Sequence, residues 1–268
     1  MGWDRCGGLS SSTGVMVAES RAAIWGARGT GPPGRTLLID ADDTLWENNI
    51  YFLEVTERFV EEMERHGVAR DVSTLELLET ERRNLPVHGY GSLAFAQSVA
   101  EALRSLAPHA DGETVERLVS LARSIHDRDE MDLLPGVAET LAALSREFRL
   151  IVVTKGSHDE QMRKVERSGL AQYFERVEVL PEKDETAYRE LAERLELDPA
   201  QTWMIGNSPK SDINPALAAG MNAVLVPHPH TWDLEIEDVQ EYGERLVIAD
   251  RFGDVVALFA PDSEEAAD

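Results

Sequence analysis

The sequence of 268 residues is poor in cysteine, in long apolar runs and in positive charge. Its single cysteine, Cys6, cannot form an internal disulfide, so we expect a reducing compartment, the cytoplasm. No uninterrupted apolar run approaches the roughly 20 residues of a membrane-spanning helix, and no signal peptide is recognisable. Lysine and arginine number 26 against 50 aspartates and glutamates, a net charge of −24. A field of that sign repels nucleic acid and anionic membranes, so we expect neither as a partner.

The two ends of the chain offer little with which to form a core. Residues 1–34 hold eight of the 19 glycines, and we expect them to be a flexible tail. Residues 261–268 form a second, acidic tail. Apolar residues make up 43% of the whole chain, which is typical of a globular protein. The core is therefore expected between residues 35 and 260.

Short apolar runs alternate with helical stripes over most of this central region. Runs that are apolar on both faces indicate buried parallel strands. The helical stripes between them repeat at helix spacing, as in Val137, Leu141 and Leu144. This alternation predicts an α/β fold with a doubly wound parallel sheet. The strand candidates are residues 36–39, 150–153, 177–180, 203–205, 223–226 and 246–248.

Residues 48–133 break the alternation of strands and helices. Their apolar residues recur at helical spacing, as in Phe52, Phe59 and Met63. A segment of about 85 residues is too long for a plain loop between a strand and its helix. We therefore expect an all-helical cap domain at 48–133, inserted into a discontinuous core of residues 35–47 and 134–260.

Polar side chains follow the ends of several predicted strands. Asp40, Asp42 and Asp43 follow the first strand, and three crowded acids repel one another unless a cation or a proton transfer stabilises them. Ligands of open α/β sheets bind at the carboxyl ends of the strands, so we expect the functional side chains to gather at that edge. The other candidates there are Thr154, Lys155, Lys183, Asn207 and Asp212.

The chain resembles the haloacid dehalogenase superfamily of hydrolases in four motifs that occur in the family's order. Residues 40–44, Asp-Ala-Asp-Asp-Thr, are similar to the nucleophile loop Asp-x-Asp-x-Thr. Thr154 resembles the hydroxyl of the second motif, Lys183 the lysine of the third, and residues 206–212 the metal loop. The resemblance covers roughly residues 35–260, and it implies a Rossmann-like core with a helical cap.

What this resemblance implies is a phosphatase that acts on a small phosphorylated metabolite through an aspartyl-phosphate intermediate. By resemblance Asp40 is the nucleophile, and a carboxylate nucleophile divides one slow hydrolysis into two easier displacements. Asp42 lies near the leaving oxygen and acts as general acid and then as general base. Thr154 and Lys183 complete the catalytic set and bind the phosphate together with Lys155.

The resemblance also implies a Mg²⁺ ion, which compensates charge when a carboxylate attacks a phosphate dianion. Its ligands would be the Asp40 carboxylate, the backbone carbonyl of Asp42, and the side chains of Asn207 and Asp212. Oxygen ligands suit this small, hard cation. Two residues depart from the family pattern: Asp43 stands where many members have glycine, and Asn207 where a phosphatase usually has a metal-binding aspartate.

Other interpretations of these residues stay open. The neutral Asn207 favours a non-hydrolytic protein that binds a phosphorylated ligand through a weakened metal site. A haloacid dehalogenase is a further alternative, but it needs no second acid such as Asp42, because halide leaves without a proton. His228 and His230 are interpreted as structural or surface residues. The sequence does not distinguish a monomer from a homodimer.

Overall fold

Six strands form one parallel sheet in a computed structural model that describes residues 35–128, 131–240 and 242–259. The predicted tails lie outside these residues. The sheet order is β3-β2-β1-β4-β5-β6, so β1 lies inside the sheet and the fold is doubly wound. This confirms the predicted α/β class. The strands are β1 (Thr36–Ile39), β2 (Arg149–Lys155), β3 (Arg176–Leu180), β4 (Thr202–Gly206), β5 (Asn222–Leu225) and β6 (Leu246–Ile248).

Helices fill the connections between the strands and a long insertion after β1. The four helices of the insertion are α1 (Asn49–Arg65), α2 (Arg70–His88), α3 (Ser92–Leu106) and α4 (Gly112–Ser124). They share an apolar cluster of their own, separate from those of the sheet. The remaining helices are α5 (Val137–Leu144), α6 (His158–Arg167), α7 (Glu185–Leu195), α8 (Asn214–Ala218) and α9 (Val255–Phe259). Among the described residues, no helix combines the length and the apolar character that crossing a membrane requires.

Alternating residues of β1 pack on opposite faces of the sheet. Leu37 and Ile39 belong to the apolar cluster on one face, whereas Leu38 belongs to the cluster that contains Tyr188 and Leu191 of α7. All three strand residues are fully buried, as expected for a parallel sheet covered by helices on both faces. The helices of both layers therefore hold β1 and the residue that follows it in place.

Candidate active site

Asp40 directly follows β1 at the carboxyl edge of the sheet. Its backbone N–H donates to the carbonyl oxygen of Ile205 in β4 at 2.9 Å, so strand pairing fixes its position. The residue is 7% exposed. Burial and the negative charge of Asp212 raise the pKa of Asp40 to about 7, against the lowering effect of Lys183. The buried carboxylate therefore depends on cationic partners to stay ionised.

Lys183 is one such partner of Asp40. Its Nζ donates a hydrogen bond to Asp40 Oδ1 and another to Asp212 Oδ1 at 2.7 Å. Burial acts to lower the pKa of Lys183, but Asp212 and Asp40 outweigh it and raise the pKa well above its usual value. The side chain thus places a positive charge beside the Asp40 carboxylate.

Asp212 is held by donors on both of its carboxylate oxygens. Oδ1 accepts from Lys183, and Oδ2 accepts from the backbone N–H of Ser208 at 3.0 Å. Gly206 permits this position, since a Cβ added there would lie 2.3 Å from Asp212 Oδ2. From the sequence we expect Asp212 as a metal ligand. In the structure the turn 208–213 brings its carboxylate against Lys183, and the role of Asp212 as a metal ligand stays a prediction.

Thr44 lies between Asp40 and Asn207. Its Oγ1 is 3.0 Å from Asp40 Oδ2 and 3.2 Å from Asn207 Oδ1. Thr44 is fully buried, and its hydroxyl has one proton for these two acceptors. Asn207 Nδ2 donates to Thr231 Oγ1 at 3.1 Å, which turns Oδ1 towards Thr44. Asp40 Oδ2 and Asn207 Oδ1 therefore converge on a single hydrogen-bond donor. Two such hard oxygen ligands fit a cation such as Mg²⁺.

Asp42 is bound by residues of its own loop and of α6. Lys164 Nζ lies 2.8 Å from Oδ2, Gln161 donates to Oδ2 at 3.0 Å, and Trp46 Nε1 donates to Oδ1 at 2.8 Å. Burial acts to raise the pKa of Asp42, but Lys164 and the other donors outweigh it and hold the pKa below its usual value. The predicted acid–base role at the leaving oxygen therefore requires the carboxylate to leave Lys164.

Thr154 and Lys155 are the last two residues of β2, whereas the sequence predicts that they follow a strand ending at residue 153. Thr154 is buried, with 2% exposure. Lys155 Nζ donates to Glu235 Oε1 at 2.6 Å, to Ser211 Oγ at 2.8 Å and to the Tyr90 hydroxyl at 3.1 Å. From the sequence we expect Lys155 to bind phosphate. Its ammonium is paired with Glu235, because the loop after β5 folds over the end of β2, and phosphate binding by Lys155 stays a prediction.

Asp43 connects the Asp40 loop to the start of α1. Its φ of 59° lies in the left-handed region, where glycine is favoured and aspartate is tolerated. Its Oδ1 accepts from the backbone N–H groups of Asn48 at 2.9 Å and Asn49 at 3.0 Å. Glycine would adopt this backbone conformation but would lack the carboxylate, which here anchors the beginning of the helix.

The sequence matches the family model of the haloacid dehalogenase-like hydrolases over residues 35–220, more than half of the chain. The chain belongs to the haloacid dehalogenase-like hydrolases. The matched region contains every catalytic, phosphate-binding and metal-binding residue predicted from the sequence. Membership in this family confirms the resemblance drawn from the four motifs, and it establishes the protein as a hydrolase.

Two curated relatives of this hydrolase are named glyceraldehyde 3-phosphate phosphatase. The protein from Pyrococcus furiosus is 23% identical over 227 residues, which are 80% of this chain and 88% of that protein. The protein from Methanothermobacter thermautotrophicus is 30% identical over 148 residues, which are 52% of this chain and 65% of that protein.

Solved structures of other members share the fold of the hydrolase. A haloacid dehalogenase-like family hydrolase from Xanthomonas campestris superposes with a TM-score of 0.74 at 28% identity, covering 87% of this chain and 93% of that chain. The L-2-haloacid dehalogenase from Xanthobacter autotrophicus gives a TM-score of 0.59 at 17% identity, covering 84% of this chain and 98% of that chain. At that identity the second likeness shows the fold alone.

Two charged partners in the site of the hydrolase are not predicted by the sequence motifs. Lys164 pairs with Asp42, and Glu235 pairs with Lys155. One signal pointed to Lys164, because the chain has four lysines against 22 arginines, and scarce residue types are informative. No comparable signal marks Glu235 among the 50 acidic residues.

A further group of possible cation ligands comprises Asp43, Glu47 and His228, whose ligand atoms lie within 4.8 Å of one another. His228 Nε2 is 3.3 Å from Glu47 Oε2, and Nδ1 is 3.7 Å from Asp43 Oδ1. Burial lowers the pKa of His228, against the charge of Glu47. In this arrangement, different nitrogens of the His228 ring face the two acids.

Proposed function

We propose that this hydrolase is a Mg²⁺-dependent phosphatase that hydrolyses a small phosphorylated metabolite through an aspartyl-phosphate at Asp40. The observation that carries the proposal is a buried Asp40 carboxylate whose Oδ1 accepts from Lys183 and whose Oδ2 lies beside the Thr44 hydroxyl, which also contacts the amide oxygen of Asn207. A haloacid dehalogenase needs no second acid, whereas this site has Asp42. The names of the two curated relatives further support a phosphomonoester as substrate.

The reaction would proceed in two displacements at phosphorus. Asp40 attacks the phosphorus and forms an aspartyl-phosphate, while the bond to the leaving-group oxygen breaks and Asp42 donates its proton to that oxygen. Asp42 then accepts a proton from a water molecule that attacks the phosphorus, and the bond to Asp40 breaks. Lys183 and Thr154 would stabilise the charge on the transferring group.

The Asp40 carboxylate, the backbone carbonyl of Asp42 and the amide oxygen of Asn207 would hold Mg²⁺. The bound ion supplies charge compensation between the attacking carboxylate and the phosphate dianion. We also propose Asp212 as a ligand, and its bond to Lys183 would in addition hold that lysine in place. Asn207 brings no charge, which favours a non-hydrolytic phospho-ligand binding protein as the second candidate function.

Helices α1–α4 would act as the cap of the enzyme. We propose that the cap comprises residues 48–133 and that the core comprises residues 35–47 and 134–260, as the sequence predicts. The separate apolar cluster of the four helices supports a domain that moves as a unit. A cap over the carboxyl edge would exclude water and admit small substrates in preference to proteins. We also propose that the protein is cytoplasmic and is a monomer or a homodimer.

Hydrolysis of 4-nitrophenyl phosphate in Mg²⁺ and in EDTA tests the function. We expect Mg²⁺-dependent turnover and, for Asp40→Asn, a loss on the order of 10⁴-fold or more, because the nucleophile and a metal ligand are both changed. Asp198→Asn is the matched control, since Asp198 caps a single turn before β4, at the opposite edge of the sheet. Turnover that survives in folded Asp40→Asn would contradict the mechanism. Mg²⁺-dependent phosphate binding without turnover would support the binding protein.

A further inference from the structure

A cavity of about 310 Å³ lies between helices α1–α3 and the loop that follows β5. Its walls are mainly apolar and include Phe52, Leu77 and Phe95. Trp232 from the loop closes one side, with its ring edge-to-face to Tyr90 at a centroid distance of 6.3 Å. A concave, apolar space with a few polar groups is the usual form of a small-molecule site.

The cavity adjoins the groups that would bind phosphate and metal. Thr231 lines the cavity, and its Oγ1 accepts from Nδ2 of Asn207 at 3.1 Å. Tyr90 also lines it, and its hydroxyl accepts from Nζ of Lys155 at the end of β2. A molecule whose phosphate reaches Asp40 would therefore extend its remaining part into this space.

Glu81 of α2 places a carboxylate in the wall of the cavity. Its Oε2 accepts from Trp232 Nε1 at 3.2 Å. Burial and the nearby Asp233 raise the pKa of Glu81 to about 7, while Trp232 lowers it, so a cationic partner would stabilise the ionised form. Among the residues that the structure describes, those lining this cavity include Asp233 and His230 but no lysine or arginine. The charge of the wall therefore favours a cation and disfavours an anion.

The aromatic side chains around Glu81 are also suited to a cation. The face of Trp232, whose Nε1 donates to Glu81, attracts ammonium groups through the ring quadrupole, as the Tyr90 ring already does for the Lys155 ammonium at 4.3 Å from its centroid. We propose that this cavity binds the leaving group of the substrate, and that the leaving group is an alcohol or phenol that departs through its oxygen and also carries an apolar body and an ammonium held by Glu81. The phosphate ester in this inference rests on the proposed phosphatase function. The amine site is defined by α2 and the loop after β5.

Two ligands of the same shape test the amine site without catalysis. Tyramine and 4-ethylphenol differ only in the amino group, and calorimetry measures their binding to the full chain. We expect tyramine to bind at least about tenfold more tightly, as for a charge-assisted hydrogen bond in a partly buried site. Glu81→Gln should abolish the difference, whereas Glu81→Asp should retain part of it.

Glu79→Gln is the matched control. This substitution removes the same charge from the same helix, but the Glu79 side chain is 46% exposed and paired with Arg82. Equal binding of tyramine and 4-ethylphenol to the wild type would overturn the proposal. So would a loss of the tyramine preference in Glu79→Gln as large as that in Glu81→Gln.

The phosphate esters of the same two phenols separate the amine site from the phosphatase function. We expect kcat/KM for tyramine O-phosphate to exceed that for 4-ethylphenyl phosphate about tenfold, and this ratio to collapse in Glu81→Gln. Hydrolysis of both esters without a tyramine preference in binding would overturn the amine site and leave the phosphatase function standing. Glu81-dependent tyramine binding without hydrolysis of either ester would support the amine site and contradict the phosphatase function.

Discussion

Asn207 is the residue at which this hydrolase departs most from the pattern of its motifs. Its amide oxygen faces Thr44 and Asp40, which is the position expected of a metal ligand, but it carries no charge. Coulomb attraction between a divalent ion and a carboxylate at contact is large even under strong screening. The neutral side chain should therefore weaken Mg²⁺ binding.

We predict that Asn207→Asp tightens Mg²⁺ binding by about tenfold or more, since it adds a charge at a converging oxygen. Calorimetric titration of Mg²⁺ into both forms measures this. Asn222→Asp is the control, because Asn222 lies at the start of β5, away from the carboxyl edge, and donates to Ala200. A wild type that already binds Mg²⁺ as tightly as Asn207→Asp would show that Asn207 is not a ligand.

Gly206 is required by a close approach of a side chain, and its substitution tests the link from Asp212 to Lys183. A Cβ at Gly206 would overlap the Asp212 carboxylate, whereas a Cβ at Gly112 would have no neighbour within 4 Å. We predict that Gly206→Ala lowers the free energy of unfolding by about 2 kcal/mol and reduces kcat, because Asp212 must move. Chemical denaturation and steady-state assays check both effects. An active, fully stable Gly206→Ala would contradict the assigned role, and Gly112→Ala should change neither quantity appreciably.

Among the helices, the apolar stripe of α1 with Phe52, Phe59 and Met63 could be predicted from the sequence, whereas α2 could not. The face that α2 buries is largely polar and includes Ser73, Thr80 and Asn84, with Leu77 as its large apolar residue. Hydrophobic periodicity detects a helix only when its buried face is apolar. Hydrophobic periodicity therefore does not predict α2, the helix that contains Glu81.

The start of α7 is the helix end that bears most directly on the site, because its N-cap directly follows Lys183. Asp184 accepts from the N–H of Ala187 at 2.8 Å, and Asp111 makes the same bond to Thr114 at the start of α4. We predict that Asp184→Ala and Asp111→Ala each lower Tm by about 3 °C through loss of the cap.

Only Asp184→Ala should also lower kcat, by about fivefold or more, because the uncapped turn no longer holds Lys183 against Asp40. Calorimetric melting and steady-state kinetics on the two variants measure these effects. If both variants lose equal stability and neither loses activity, the position of Lys183 does not depend on the start of α7.

At the scale of the whole molecule, the sheet topology explains which parts of the site were predictable. Asp40 and Asn207 directly follow β1 and β4, and Thr154 is the last residue but one of β2, so the rule that parallel strands end at one edge is enough to group them. The contact of Lys155 with Glu235 depends on the path of the long loop after β5, which has no local sequence pattern. The cavity likewise depends on how α2 meets that loop.

The central claim is that Asp40 becomes covalently phosphorylated during turnover. Single-turnover reaction with a phosphate ester labelled on phosphorus, followed by acid quench and peptide mapping, measures this directly. We predict one phosphoryl group on the peptide that contains Asp40 in the wild type, and none in Asp40→Asn. Asp42→Asn should accumulate more of the label when the leaving group is good, because hydrolysis of the intermediate is slowed. Hydrolysis of the ester with the label on a residue other than Asp40, or label retained in Asp40→Asn, would contradict the account.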